Sequence, residues 1–168
     1  MTIAYHPGTT VKEQAMEVTA ILCNHAEAIN NLLFISAGGV DQAIVQSGDP
    51  GPWQVSLGIG LSIEVPWQQT NQEHKVVITL IDADGEPVDL PTGPDTREPF
   101  GAELRFNVGR PPQLAVGASQ TFQLAVNVPV LPFERLGQYE FVIAIDGSEV
   151  KRLHYRVVGP SGVTIAPG

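Results

Sequence analysis

Apolar and polar residues alternate along most of this chain with a period of two. Between Val55 and Val65 the side chains of Val55, Leu57, Ile59, Leu61, Ile63 and Val65 are separated only by Ser, Gly or Glu. A helix scatters such a set around its circumference, whereas a strand turns all six to one face. The same beat returns at Leu104, Phe106 and Val108; at Phe122, Leu124, Val126 and Val128; at Tyr139, Phe141, Ile143 and Ile145; and at Leu153, Tyr155 and Val157. Eight strands are predicted, over residues 17–23, 31–38, 54–65, 75–82, 101–108, 120–128, 138–146 and 150–158. Gly, Pro, Asn and Asp gather in the gaps, where the backbone must turn or take positive φ. Short strands at this spacing predict an all-β chain folded as an immunoglobulin-like antiparallel β-sandwich, with a closed β-barrel as the alternative.

The punctuation gives the organisation. Asp84-Gly85 and Asp146-Gly147 are hairpin signals, the stretch from Leu90 to Pro99 and Gly109-Arg110-Pro111-Pro112 read as irregular loops, and the only helical turn expected follows Trp67. Residues 1–16 read as an N-terminal arm, 17–158 as a single domain and 159–168 as a Gly- and Pro-rich tail. Both ends carry apolar residues, Ile3 and Tyr5 in one and Val163 and Ile165 in the other. Such arms are loose, fold back on the domain or lie on a neighbouring subunit.

Composition narrows the class. A chain of 168 residues that is 43% hydrophobic buries about 70% of its unfolded surface as one domain, without help from disulfides or metals. Cys23 is the single cysteine, no stretch has the pattern of a secretory signal, and none is apolar enough to span a membrane. The expected location is a reducing cytoplasm. A formal charge of −9 repels phosphate backbones and anionic lipids, so neither nucleic acid nor membrane is expected as a partner. Asp82, Asp84, Glu86, Asp89, Asp95, Glu98 and Glu103 face Arg97 alone in their segment, a solvated acidic region or a surface for a cation or basic partner.

The segment Gly137 to Val150, with Gly-x-Tyr opening the strand 138–146, is similar to the last hairpin of immunoglobulin-like modules, which implies that the Tyr139 hydroxyl ties to upstream backbone. That hairpin, together with Leu22-Cys23-Asn24-His25-Ala26-Glu27, Gly38-Gly39, Ile63-Glu64-Val65-Pro66-Trp67 and Gly109-Arg110-Pro111-Pro112, resembles a family of small bacterial proteins of unknown function over residues 16–158. The resemblance implies the fold and carries over no site residue.

The candidate chemistry is sparse. Cys23, His25 and Glu27 share one face of a continuing strand, yet a structural zinc site needs four ligands and no second Cys/His pair exists. Asp82-Ala83-Asp84-Gly85-Glu86 opens like a calcium loop but places Pro87 where glycine is required; it reads as a turn in which Asp caps its own backbone. Gly58-Ile59-Gly60 lies inside a strand, where small residues let another backbone or a large side chain approach closely. Trp53 and Trp67 flank the longest strand as core plugs, partner anchors or sugar platforms. No catalytic motif appears, and no catalytic residue, metal or cofactor is expected. The reading is a non-catalytic interaction module within a larger or self-associated assembly, with protein contacts at Ile3, Tyr5, Trp53, Trp67, Val163 and Ile165. The alternative is a small-ligand domain binding carbohydrate at Trp53 or Trp67, or calcium along the acidic loops.

Overall fold

The computed structural model describes residues 15–46, 48 and 50–159, and shows an all-β chain of two stacked sheets. The first sheet has the order β1-β5-β10, from β1 (Glu17–Cys23), β5 (Trp53–Val65) and β10 (Gln120–Phe133). The second has the order β4-β12-β11-β6-β9, from β4 (Gln42–Ile44), β6 (Glu73–Asp82), β9 (Gly101–Asn107), β11 (Gly137–Ile145) and β12 (Ser148–Val158). Every pairing in the two sheets is antiparallel except that of β4 with β12. Two short hairpins complete the set: β2 (His25–Ile29) with β3 (Leu32–Ser36), and β7 (Asp89–Pro91) with β8 (Arg97–Pro99). Among the described residues no ladder joins the two sheets, so the barrel is not closed.

The period-two pattern lands where strand geometry requires. Leu57, Ile59, Leu61, Ile63 and Val65 of β5 meet Val76, Ile78 and Leu80 of β6 and Phe141, Ile143 and Ile145 of β11 in one buried cluster, closed at one end by Phe133, Tyr139 and Tyr155. A buried Leu in such a core is worth about 2–5 kcal/mol against Ala. At the β11–β12 turn Asp146 and Gly147 both take positive φ, 51° and 84°, as the expected two-residue hairpin requires. The Tyr139 hydroxyl donates to the Arg135 carbonyl at 2.7 Å, the upstream tie that the Gly-x-Tyr resemblance implied. The helical turn after Pro66 forms as Trp67–Gln69.

Three expectations need correction. The described residues form twelve strands rather than eight. The segment 31–38 is only the second half of the β2–β3 hairpin, whose turn is Asn30-Asn31 at φ 50° and 57°. Strand 120–128 runs on to Phe133 through a bulge between Val128 and Leu131; the extra residue flips the parity, so that Phe122 to Val128 face inward on even numbers while Leu131 and Phe133 do so on odd ones. The turn at Asp84-Gly85 forms as expected, with an Asp capping its own backbone: Asp82 Oδ1 accepts from the Asp84 and Glu86 N–H groups at 2.9 and 3.0 Å. The apolar residues of the two ends, Ile3, Tyr5, Val163 and Ile165, lie outside the described residues.

Candidate interaction surface

The feature that stands out from the sandwich is the β2–β3 hairpin. It packs flat on the outer face of β5 and β10 rather than extending a sheet. Gly58 and Gly60 make this possible. A Cβ on Gly60 would collide with Ile35 Cδ1 and lie 3.2 Å from Leu33 Cδ2; one on Gly58 would sit 3.1 Å from the Ala26 backbone nitrogen. The close approach expected at Gly58-Ile59-Gly60 is therefore that of a hairpin of the same chain.

Two asparagines fasten the hairpin. Asn127 of β10 grips Ala26 on both sides, its Oδ1 accepting from the Ala26 N–H at 3.0 Å and its Nδ2 donating to the Ala26 carbonyl at 2.8 Å. Asn31 in the turn does the reverse, donating to the Thr121 carbonyl at 2.8 Å and accepting from the Gln123 N–H at 3.0 Å. The second clasp also occupies backbone groups on the outer edge of β10, an edge that no strand among the described residues covers.

With Ala26, Leu33 and Ile35 turned down, the opposite face holds the cross-strand pairs Glu27 with Phe34 and Ile29 with Leu32. Ile29, Leu32 and Phe34 are 50%, 61% and 52% exposed. Isolated exposed apolar residues are ordinary, but three side by side on a fastened element form a patch of the kind that marks contact sites. The strands of this layer, β1, β2, β3, β5 and β10, contain no Lys or Arg and carry Glu17, Glu27 and Glu64.

The other candidates are engaged elsewhere. Trp53 packs against the core at one end of β5. Trp67 lies beyond the other end under Arg110, whose guanidinium carbon is 4.4 Å from the ring centre and whose Nη2 donates to the Trp67 carbonyl at 2.6 Å. About 40 Å of strand separates the two indoles, so they share no groove. The chain breaks its strand at Asn24, leaving Cys23 buried while His25 and Glu27 pair outside at 3.1 Å. Burial pushes the Cys23 thiol up, against a smaller lowering by a backbone hydrogen bond from His25, the opposite of what a thiolate nucleophile needs. Buried His74 is tied at Nδ1 to Asp146 Oδ2 (2.7 Å) and at Nε2 to the Gln69 carbonyl (2.6 Å). Among the described residues no three His, Cys, Asp or Glu side chains converge as a metal site. The acidic segment is broken up by its pairings: Arg97 makes a two-pronged bond to Glu134 at 2.9 Å, outside the cluster, and Glu103 meets Lys75 and Arg105. No helix among the described residues is long and apolar enough to cross a membrane.

Alternation does not reveal this surface, because both faces of β3 are apolar while β2 mixes His25 and Glu27 with Ile29 on its outer side. Leu32-Leu33-Phe34-Ile35 shows no alternation, and only Asn30-Asn31 hinted at the turn. Among known proteins, the model of a family of unknown function, DUF6941, matches residues 18–158. No curated protein matches the chain.

Proposed function

The chain belongs to this family, DUF6941, and we propose that it is a non-catalytic protein-interaction module, one subunit of a larger cytoplasmic assembly, whose contact surface is the outer face of the β2–β3 hairpin. The observation that carries the reading is the exposed trio Ile29, Leu32 and Phe34 on an element held in place by two asparagine clasps. Fastening lowers the ordering cost a partner must meet on binding, and the aromatic ring supplies an anchor. The groups with chemical potential have structural work instead, Cys23 in the interior and His74 between two acceptors. An immunoglobulin-like architecture suits the role and is supported by the crossings from β5 to β6 and from β10 to β11 between sheets, and by the Tyr139 tie.

Affinity purification from the source cell with quantitative mass spectrometry, run in parallel on the wild type and the Leu32→Ser/Phe34→Ser double variant, tests the reading. At least one partner retained by the wild type is lost from the variant; identical partner sets overturn it.

A further inference from the structure

Resting on that reading, we infer that the hairpin engages its partner by strand addition: an extended segment of another protein, apolar at alternate positions and flanked by Lys or Arg, pairs along the free edge of β3. The register gives the edge. Both backbone groups of Ala26 are taken by Asn127, so Ala26 exchanges no ladder bond with Ile35 opposite it. In an antiparallel pair, facing residues exchange both bonds or neither, in alternation. Ile35 therefore directs its N–H and C=O away from β2, and Leu33, two residues back and opposite Ala28, does the same. The outer edge of β2 is occupied by Asn127, while among the described residues β3 pairs with β2 alone. Two donors and two acceptors stand in a row on that edge, the arrangement that extended peptides recognise.

Side chains on either face suit the same occupant. Leu33 and Ile35 lie over Gly60, which pins the edge, and Leu32 and Phe34 stand up beside the added strand, where every second residue of the incomer meets them. Charge decides between partners. The layer has no Lys or Arg and holds Glu17, Glu27 and Glu64, with Glu27 directly across from Phe34. A second copy would set these carboxylates against their equivalents between two chains of charge −9, whereas a cation-flanked segment complements them.

The full-length chain is used as bait for a displayed library of random dodecapeptides at near-physiological salt, and enriched peptides are synthesised. Expected sequences alternate apolar residues, carry Lys or Arg at their ends and avoid Pro at the centre. Their binding weakens about tenfold or more in Phe34→Lys and on raising salt, and amide exchange at Leu33 and Ile35 slows about tenfold or more in the complex. The proposal is overturned by no enrichment, by acidic or centrally Pro-containing binders, or by unchanged exchange at those two amides. Protection of both amides in the free monomer assigns the edge to another part of this chain, and dimerisation abolished by Phe34→Lys assigns it to a second copy; each outcome also overturns it. Any of these results alongside a cellular partner that still depends on Leu32 and Phe34 leaves the interaction reading standing and removes strand addition alone.

Discussion

The two outer faces of the sandwich solve the problem of exposed sheet in opposite ways. The five-stranded face is wet and self-neutralised. Its strands carry Lys75, Arg105, Lys151, Arg152 and Arg156 against Glu73, Asp82, Glu103, Glu140 and Glu149, and Arg105 pairs with Glu73, Arg152 with Glu140 and Glu149, and Arg156 with Asp41. Such exposed pairs add little stability but keep a flat sheet soluble and unattractive to other edges. The three-stranded face has no cation in its strands and is covered by a hairpin of its own chain, which then exposes new apolar side chains. Charge on one side and an apolar cover on the other distinguish the two faces, and the proposed reading puts recognition on the second.

The sharpest way to break this contrast is to lift the cover. Gly58→Val puts a branched Cβ 2.8 Å from Asn127 Oδ1, 3.0 Å from Cys23 Sγ and 3.1 Å from the Ala26 backbone nitrogen, and is expected to cost about 1–3 kcal/mol in urea unfolding. Exchange at hairpin amides should rise further than at the amides of β11. An equal substitution on the other face, at exposed Gly101 with nothing within 4 Å, should leave both measurements near wild type. Asn127→Ala comes next, at about 1–2 kcal/mol, because the Ala26 N–H and C=O lose the side chain that binds both; Asn127→Gln should not avoid the loss, since the longer amide cannot reach both groups in register. Tyr139→Phe removes the bond to Arg135 and should cost about 1 kcal/mol, without altering hairpin exchange.

Acid separates the faces by a different route. Asp146, at the end of the five-stranded sheet, feels some desolvation that raises its pKa, but hydrogen bonds from His74 and the Lys75 N–H outweigh it and hold the carboxyl below its usual range. A carboxyl with a depressed folded-state pKa contributes stability above its unfolded value, and that contribution is lost as pH falls through the folded one. Asp146→Asn keeps a residue suited to the positive φ of 51° and removes the titration. The variant should therefore lose less stability than wild type on acidification below pH 4 or so, measured as urea midpoints. Hairpin exchange should respond equally in both proteins.

How much of this was legible beforehand follows from the range of each interaction. β5 and β11 could be read because one face is core and the other solvent, which is what alternation encodes. β10 was read only to Val128 because the bulge at Pro129-Val130 reverses the parity. The strand over 31–38 is legible, but not its place in a hairpin: both faces of β3 are apolar, one against Gly60 and one outward, and β2 is too short to show a pattern. The clasps were beyond reach: Asn127 and Ala26 are 101 residues apart, Asn31 and Thr121 are 90, and an asparagine in a strand signals nothing until its partner is brought opposite. The glycines at 58 and 60 did announce a close approach, without saying that the approaching segment was local to the chain.

The smallest expected effect is the most discriminating. Leu32→Ser/Phe34→Ser changes two side chains that are more than half exposed while leaving Leu33 and Ile35 over Gly60 and both asparagine clasps intact. It removes the cross-strand pairs with Ile29 and Glu27, worth a few tenths of a kcal/mol each, so the urea midpoint should move by less than about 1 kcal/mol equivalent. Residues kept for packing would cost far more when cut to Ser. A surface pair whose loss scarcely affects the folded state, yet abolishes a partner contact, is held in the sequence by recognition; a large fall in stability would instead make the exposed face a structural element and return the two sides of the sandwich to equivalence.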